Sequence, residues 1–260
     1  MALKSIRVLA SLRLRWGPQR PEVGASLLAR GRRGSLAALM PISDRLGMND
    51  VSRPVVGVID YRTGNSRSVG RALDFLGVPN RMLRVPGDLG GVDRVVLPGV
   101  GSAGTTMGYL ADAGWPPVLQ SLVAEGDMPF LGVCVGLQVL YEASEEQDAL
   151  CLGWLPGKVR SFGDGVRVPQ IGWNQVRATG SGHAFTAGMP DGGDFYFVNS
   201  YFAPPGGPEV AATAEYGTPF AAVVARRNIM ATQFHCEKSG PAGLGLLKTF
   251  TALTREELCR

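Results

Sequence analysis

Residues 55–60, 94–97 and 129–133 each place apolar side chains in succession rather than at every second position. A strand with that pattern has no face for water, so it must lie inside a sheet that is covered on both sides. Helical spacing fills the gaps between these runs. Val69, Ala72, Leu73 and Leu76 recur at i, i+3, i+4 and i+7 and end at Gly77. A second helix is expected between Met107 and Ala124, and a third after the last run, from Gly136 to about Ala143. A further short strand falls near residues 81–85. Strand and helix in alternation predict an α/β fold with a mostly parallel sheet flanked by helices. From Gly153 to Ile229 the rhythm changes to short strands and Gly/Pro turns, among them residues 195–198 and 220–225, which predicts an antiparallel extension. The strand ending at His235 returns to the centre, and Leu246, Phe250 and Leu253 mark a closing helix. Ligands of open parallel sheets sit at the carboxyl ends of the strands, where the loops at Gly99, Cys134 and His235 should gather.

With 260 residues, 45% of them hydrophobic, the chain can bury one sizeable core. No run approaches the roughly 18 consecutive apolar residues of a membrane span. The net charge of +4 is unevenly spread: residues 1–52 hold nine Lys and Arg against three acidic residues, leaving −2 for residues 53–260. Nucleic-acid binding by this basic segment is disfavoured, because Trp16 is its only aromatic residue. An organellar targeting sequence and a dispensable extension with Met48 as the natural start both fit its Arg-rich, acid-poor composition. The chain thus divides into a basic extension, disordered or targeting, over 1–52 and one folded domain over 53–260. Four cysteines lack Cys-x-x-Cys spacing and, with only two histidines, assemble no metal-ligand set. Neither a metal nor another cofactor is expected. A reducing compartment, the cytoplasm, fits best, with an organellar role for residues 1–47 left open.

Chemistry concentrates at Cys134, which sits in a Gly-x-Cys-x-Gly between an apolar run and a helical pattern. That is the thiol form of a nucleophile elbow, with Gly132 and Gly136 supplying the room for a sharp turn. The helix after it points its positive end at the sulfur and favours a thiolate. A buried cysteine in a strand is more often a small apolar filler, so the motif needs a proton partner. His235 closes an apolar run and is followed at i+2 by Glu237. In an extended segment those two side chains share a side, so Glu237 can hold the imidazole while His235 faces the cysteine. The inference is a Cys134-His235-Glu237 triad, with the Cys and His about a hundred residues apart.

The segments 97–101, 132–138 and 235–239 resemble the three signatures of class I glutamine amidotransferases. Pro98-Gly99-Val100-Gly101 lacks the second consecutive glycine usual in that class and resembles one subfamily, the glutaminase subunits of imidazole glycerol phosphate synthase. Residues 60–65, 168–174 and 196–201 also match, and the resemblance runs in order from about Val55 to the C-terminus. Three positions depart from the pattern: Cys236 stands where proline is usual, Asn199 where histidine is, and Arg62 where glycine is. No triad member is lost. The departures leave room for a paralogue that feeds a different ammonia acceptor.

The resemblance implies an oxyanion hole at Gly99, Val100, Gly101 and Val135, and glutamine binding by Gln138, Asn199, Ser200 and Tyr201. It also implies a partner surface at Asn65, Trp173 and Lys238. The implied partner is a (β/α)8 cyclase subunit, forming a heterodimer. The implied acceptor is N1-(5-phosphoribulosyl)-formimino-AICAR-phosphate, which yields imidazole glycerol phosphate and AICAR in histidine biosynthesis. Rival readings are a cysteine peptidase or deglycase of similar fold, a catalytically idle binding subunit, and a glutaminase that serves sugar amidation.

Overall fold

A computed structural model describes residues 53–61 and 65–258; the expected extension over residues 1–52, Arg62 and Cys259 lie outside the described residues. In chain order the first half reads β1 (Val56–Ile59), α1 (Ser66–Phe75), β2 (Asn80–Leu83), β3 (Arg94–Gly99), α2 (Ala103–Asp112), α3 (Trp115–Leu119), β4 (Phe130–Cys134) and α4 (Val135–Gln138). There follow β5 (Tyr141–Ser144), β6 (Ala149–Leu150), β7 (Leu155–Ser161), β8 (Gln170–Ala178), β9 (Gly193–Asn199) and β10 (Tyr201–Phe202). The chain ends with β11 (Val210–Glu215), β12 (Pro219–Arg226), β13 (Ile229–Thr232), α5 (Gly240–Ala252) and α6 (Arg255–Leu258).

Nine strands form one sheet in the order β2-β1-β3-β4-β13-β12-β11-β8-β9. The first five are parallel to one another. The other four join β13 as an antiparallel extension. Every residue of β1, β3, β4 and β13 is buried, as uninterrupted apolar runs require. On β8 the pattern changes: Gln170 and Val176 are buried, while Ile171 and Trp173 on the opposite face are exposed. The edge of the extension therefore keeps a solvent face.

Register brings β3, β4 and β13 to a common end. Gly99 on β3 pairs with Cys134 on β4, and Val133 pairs with Thr232 on β13. Beyond β13 the chain is held by aromatic packing. Phe234 lies 4.2 Å from Phe195 and 5.6 Å from Phe197, ring centre to ring centre, and all three are fully buried. Each such ring contributes about 1.5–3 kcal/mol by burial, which fixes the residue that follows, His235, over the end of the sheet.

The segment after the elbow differs from the sequence-based expectation. The helix after the elbow does not reach Ala143; it is a single turn of four residues. Amides of Leu152 and Leu155 donate to the carbonyls of Val139 and Leu140, and β5 then pairs with β6 and β7. The backbone that would have continued the helix is captured by later strands. A small second sheet results, in the order β10-β7-β5-β6.

Candidate active site

Cys134 ends β4 with φ 57° and ψ −108°, a left-handed region that a side-chain-bearing residue enters only at a cost of about 1–3 kcal/mol. Close packing of the flanking glycines holds it there. A Cβ on Gly132 would meet the carbonyl of Gly136, and one on Gly136 would meet the carbonyl of Leu97 on β3. The turn is thus pressed against the neighbouring strand, and only glycine fits on either side of the cysteine. With α4 reduced to one turn, its dipole lends the sulfur less support than a long helix would. Beside it, Gln233 Nε2 lies 3.7 Å from the sulfur, and the neutral thiol donates to the Val198 backbone carbonyl at 3.7 Å.

His235 is fixed through its backbone and its ring. Its amide donates to the Tyr196 carbonyl at 2.9 Å, and its carbonyl accepts from the Ser239 hydroxyl at 2.7 Å. Ser239 in turn accepts from the Tyr196 amide at 2.9 Å, so β9 and the histidine loop are stitched together. On the ring, Nδ1 meets Glu237 Oε1 at 3.0 Å, with side-chain exposures of 2% and 0%. A carboxylate only accepts, so Nδ1 carries the proton and Nε2 is left for the cysteine. Burial acts to lower the proton affinity of His235, but the hydrogen bonds and charges of Cys134 and Glu237 outweigh it and raise its pKa from 6.5 to about 10. The expected route to this pairing needs correction. β13 stops at Thr232, and Glu237 reaches the ring through a 3-10 turn at Cys236–Lys238 rather than through strand alternation.

A cavity of about 240 Å³ opens in front of Cys134 and His235. Val100, Gly101, Val135, Gln138, Asn199, Ser200 and Tyr201 all line it. Of the expected oxyanion residues, Gly99 alone does not line it. It ends β3 with no room for a side chain, beneath Val135 and the Tyr61 hydroxyl. Gly101, at φ +100°, has a conformation that only glycine adopts readily. The Gln138 amide donates to the Tyr201 carbonyl at 2.9 Å and to Gln233 Oε1 at 3.1 Å, so its nitrogen is committed to the protein.

Trp173 is 58% exposed and Lys238 is also exposed, whereas Asn65 is 3% exposed. The placement of Asn65 on a partner surface is therefore corrected: its amide lies 3.3 Å from His235 Nδ1, buried beside the His235–Glu237 pair. Pro169 and Val198, from matched segments, also line the cavity, as does Glu146, which lies outside every segment that the sequence singled out. Glu146 accepts from the Ala103 amide at 2.8 Å, and desolvation raises its carboxyl pKa. The Cys236 thiol is free and buried, with a pKa that burial pushes well above the ordinary range, so it fills space as a neutral group. Among the described residues no cluster of three or more His, Cys, Asp or Glu could hold a metal ion.

A strained cysteine elbow, a carboxylate-backed histidine and a glycine loop at the carboxyl ends of parallel strands are thus gathered around one cavity. The family model described as glutamine amidotransferase class-I matches residues 58–252. The chain is 42% identical over 198 residues to the imidazole glycerol phosphate synthase subunit HisH of Dehalococcoides mccartyi strain 195, covering 75% of this chain and 96% of that protein. It is 44% identical over 205 residues to the HisH subunit of Moorella thermoacetica, covering 78% and 96%. Among solved structures, one titled as a glutamine amidotransferase superposes with a TM-score of 0.59 at 22% identity, covering 75% of this chain and 98% of that one. A chain of PurLQS from Thermotoga maritima gives 0.58 at 15% identity, covering 76% and 97%. These two likenesses speak to the fold alone. The chain belongs to the class I glutamine amidotransferase family and, within that class, to the group of HisH subunits of imidazole glycerol phosphate synthase.

Proposed function

We propose that this chain is a glutaminase subunit that hydrolyses glutamine to glutamate and delivers the ammonia to a cyclase partner for histidine biosynthesis. The observation that carries the reading is His235, backed by the buried Glu237 carboxylate and lining the same cavity as the strained Cys134. The Cys134 thiolate attacks the side-chain carboxamide carbon, forming a C–S bond and moving the C=O electron pair onto oxygen. Backbone N–H groups around Val135 and of the Val100-Gly101 loop are the candidate donors to that oxyanion, each worth about a hundredfold or more in rate where such a donor has been removed. When the C–N bond breaks, His235 Nε2 gives its proton to the leaving nitrogen and ammonia departs. Water then attacks the thioester with His235 as base, and the C–S bond breaks to release glutamate.

Glu146 is the carboxylate lining the cavity and suits the α-ammonium of glutamine, while Ser200 and Tyr201 also line it. Ammonia loses its nucleophilicity once protonated in water, which favours handing it directly to a docked protein. Trp173 and Lys238, both exposed, are the side chains proposed to face that partner. No described helix is long and apolar enough to cross a membrane; the proposed site of action is the cytoplasm. Residues 53–260 are proposed to carry the whole activity.

Steady-state glutamate release tests the reading in three conditions: the chain alone, with purified cyclase, and with cyclase plus an analogue of the acceptor. The Val100-Gly101 turn, with Gly101 at φ +100° where glycine alone moves freely between peptide orientations, supports a low rate alone and a strong rise with partner and analogue. Equal rates in all three would refute delivery to that partner.

A further inference from the structure

A line of buried amides leads from the Tyr201 carbonyl to the sulfur. Gln138 Nε2 donates both to that carbonyl at 2.9 Å and to Gln233 Oε1 at 3.1 Å. Gln233 Nε2 then lies 3.7 Å from Cys134 Sγ. Gln138 is 3% exposed and Gln233 is fully buried. The direction of the line is set by its far end. A backbone carbonyl only accepts, so Gln138 must present nitrogen to Tyr201. The same nitrogen meets Gln233, so Gln233 must present oxygen to Gln138. That leaves the Gln233 N–H groups, and no other atoms of its amide, to point at the sulfur.

We infer that Gln233 is a positioning residue for the nucleophile, a neutral donor locked in orientation by Gln138 and Tyr201 that favours the thiolate and aims it into the cavity. The inference rests on the reading of Cys134 as nucleophile. A thiolate is stabilised by a donor, whereas a thiol gains little from one, so the contact discriminates between the two forms. The titratable groups that face the same space are His235 with Glu237 behind it, Glu146 from the turn after β5, and Tyr201 on β10. The Val198 carbonyl on β9 acts oppositely, since it can only accept from the thiol. With α4 one turn long, a side-chain donor supplies what a longer helix end would otherwise give.

The test uses the full chain and reads Cys134 directly. Alkylation by iodoacetamide is followed across pH, with peptide mass mapping to separate Cys134 from the other cysteines. In Gln233→Leu the rate at neutral pH should fall about tenfold and the profile should move up by about one pH unit. Gln233→Glu keeps size and shape but turns an acceptor toward the sulfur, so its profile should move further. Gln138→Leu frees the Gln233 amide to rotate and should give a smaller shift in the same direction. The double variant should add little to Gln233→Leu alone. A purely structural role predicts lower melting temperatures with unchanged profiles. Should the leucine variant fail to fold, the glutamate variant carries the test. Superposable profiles in Gln233→Glu and wild type overturn the inference. Glutamate release by Cys134→Ala separates the two failures: retained activity overturns the nucleophile reading and this inference with it. An inactive Cys134→Ala beside unshifted Gln233 variants overturns the inference alone.

Discussion

Glu237→Gln changes one oxygen to an amide nitrogen at a site whose side chain is wholly buried, and it tests how the histidine is held. The wild-type carboxylate accepts from His235 Nδ1 at 3.0 Å and fixes which nitrogen faces the cysteine. A glutamine can present N–H instead, which favours the tautomer with the proton on Nε2 and removes the base. Loss of orienting charge in a triad lowers turnover on the order of a thousandfold or more. Stability should change far less. Losing a hydrogen bond to a charged group costs about 1.5–3 kcal/mol, but removing a buried charge returns part of its desolvation cost. The pH dependence adds a second reading. Because His235 is raised from 6.5 to about 10 in the folded chain, its paired form stabilises the fold fully below pH 6.5 and loses that contribution as pH rises through about 10. The alkaline limb of glutamate release should lie near pH 10 in wild type and move lower in Glu237→Gln, since one of the two raising partners is gone. Glutamate release with partner present, measured across pH, supplies both numbers. A variant within about threefold of wild-type turnover, with its alkaline limb unmoved, would refute the account of how His235 is oriented.

Gly136→Ala should fold less stably by about 1–3 kcal/mol and lose most of its turnover, because the new methyl meets the Leu97 carbonyl and must push the elbow off β3. A thermal melt with a glutaminase assay checks it, and wild-type values in both would remove the packing explanation for Gly136. A chain beginning at Met48 should melt and turn over like the full-length protein, since the first described strand starts only at Val56. A large loss in either measurement would mean that residues 1–47 contribute to the amidotransferase domain. Stimulation of glutamate release by the cyclase and an acceptor analogue completes the set, with reciprocal tightening of analogue binding by glutamine.

The features legible in the sequence were those written locally. Unbroken apolar runs at β1, β3 and β4 announce strands buried on both faces, and the Gly-x-Cys-x-Gly announces a turn that must pass close to other backbone. Pairings made at long range left no local trace. The helix after the elbow stops at Gln138 because residues 150–155 compete for its backbone, a contest invisible in the periodicity of 136–143. Glu146 sits in a polar run that reads as solvated surface, yet the turn after β5 brings it to the cavity. The resemblance implied a partner surface at Asn65, and the fold buries it against an imidazole 170 positions away. Gln233 was one polar residue inside an apolar run; only the crossing of β4, β10 and the segment after β13 gives it a role.

The central claim is that Cys134 is the nucleophile of a glutaminase, and the most direct measurement is glutamate release by Cys134→Ala and Cys134→Ser with the cyclase and acceptor analogue present. Both replacements are small enough for the elbow, so partner binding and the thermal melt should match wild type while glutamate release falls to background. Near wild-type release by either variant, correctly folded and partner-bound, would contradict the account.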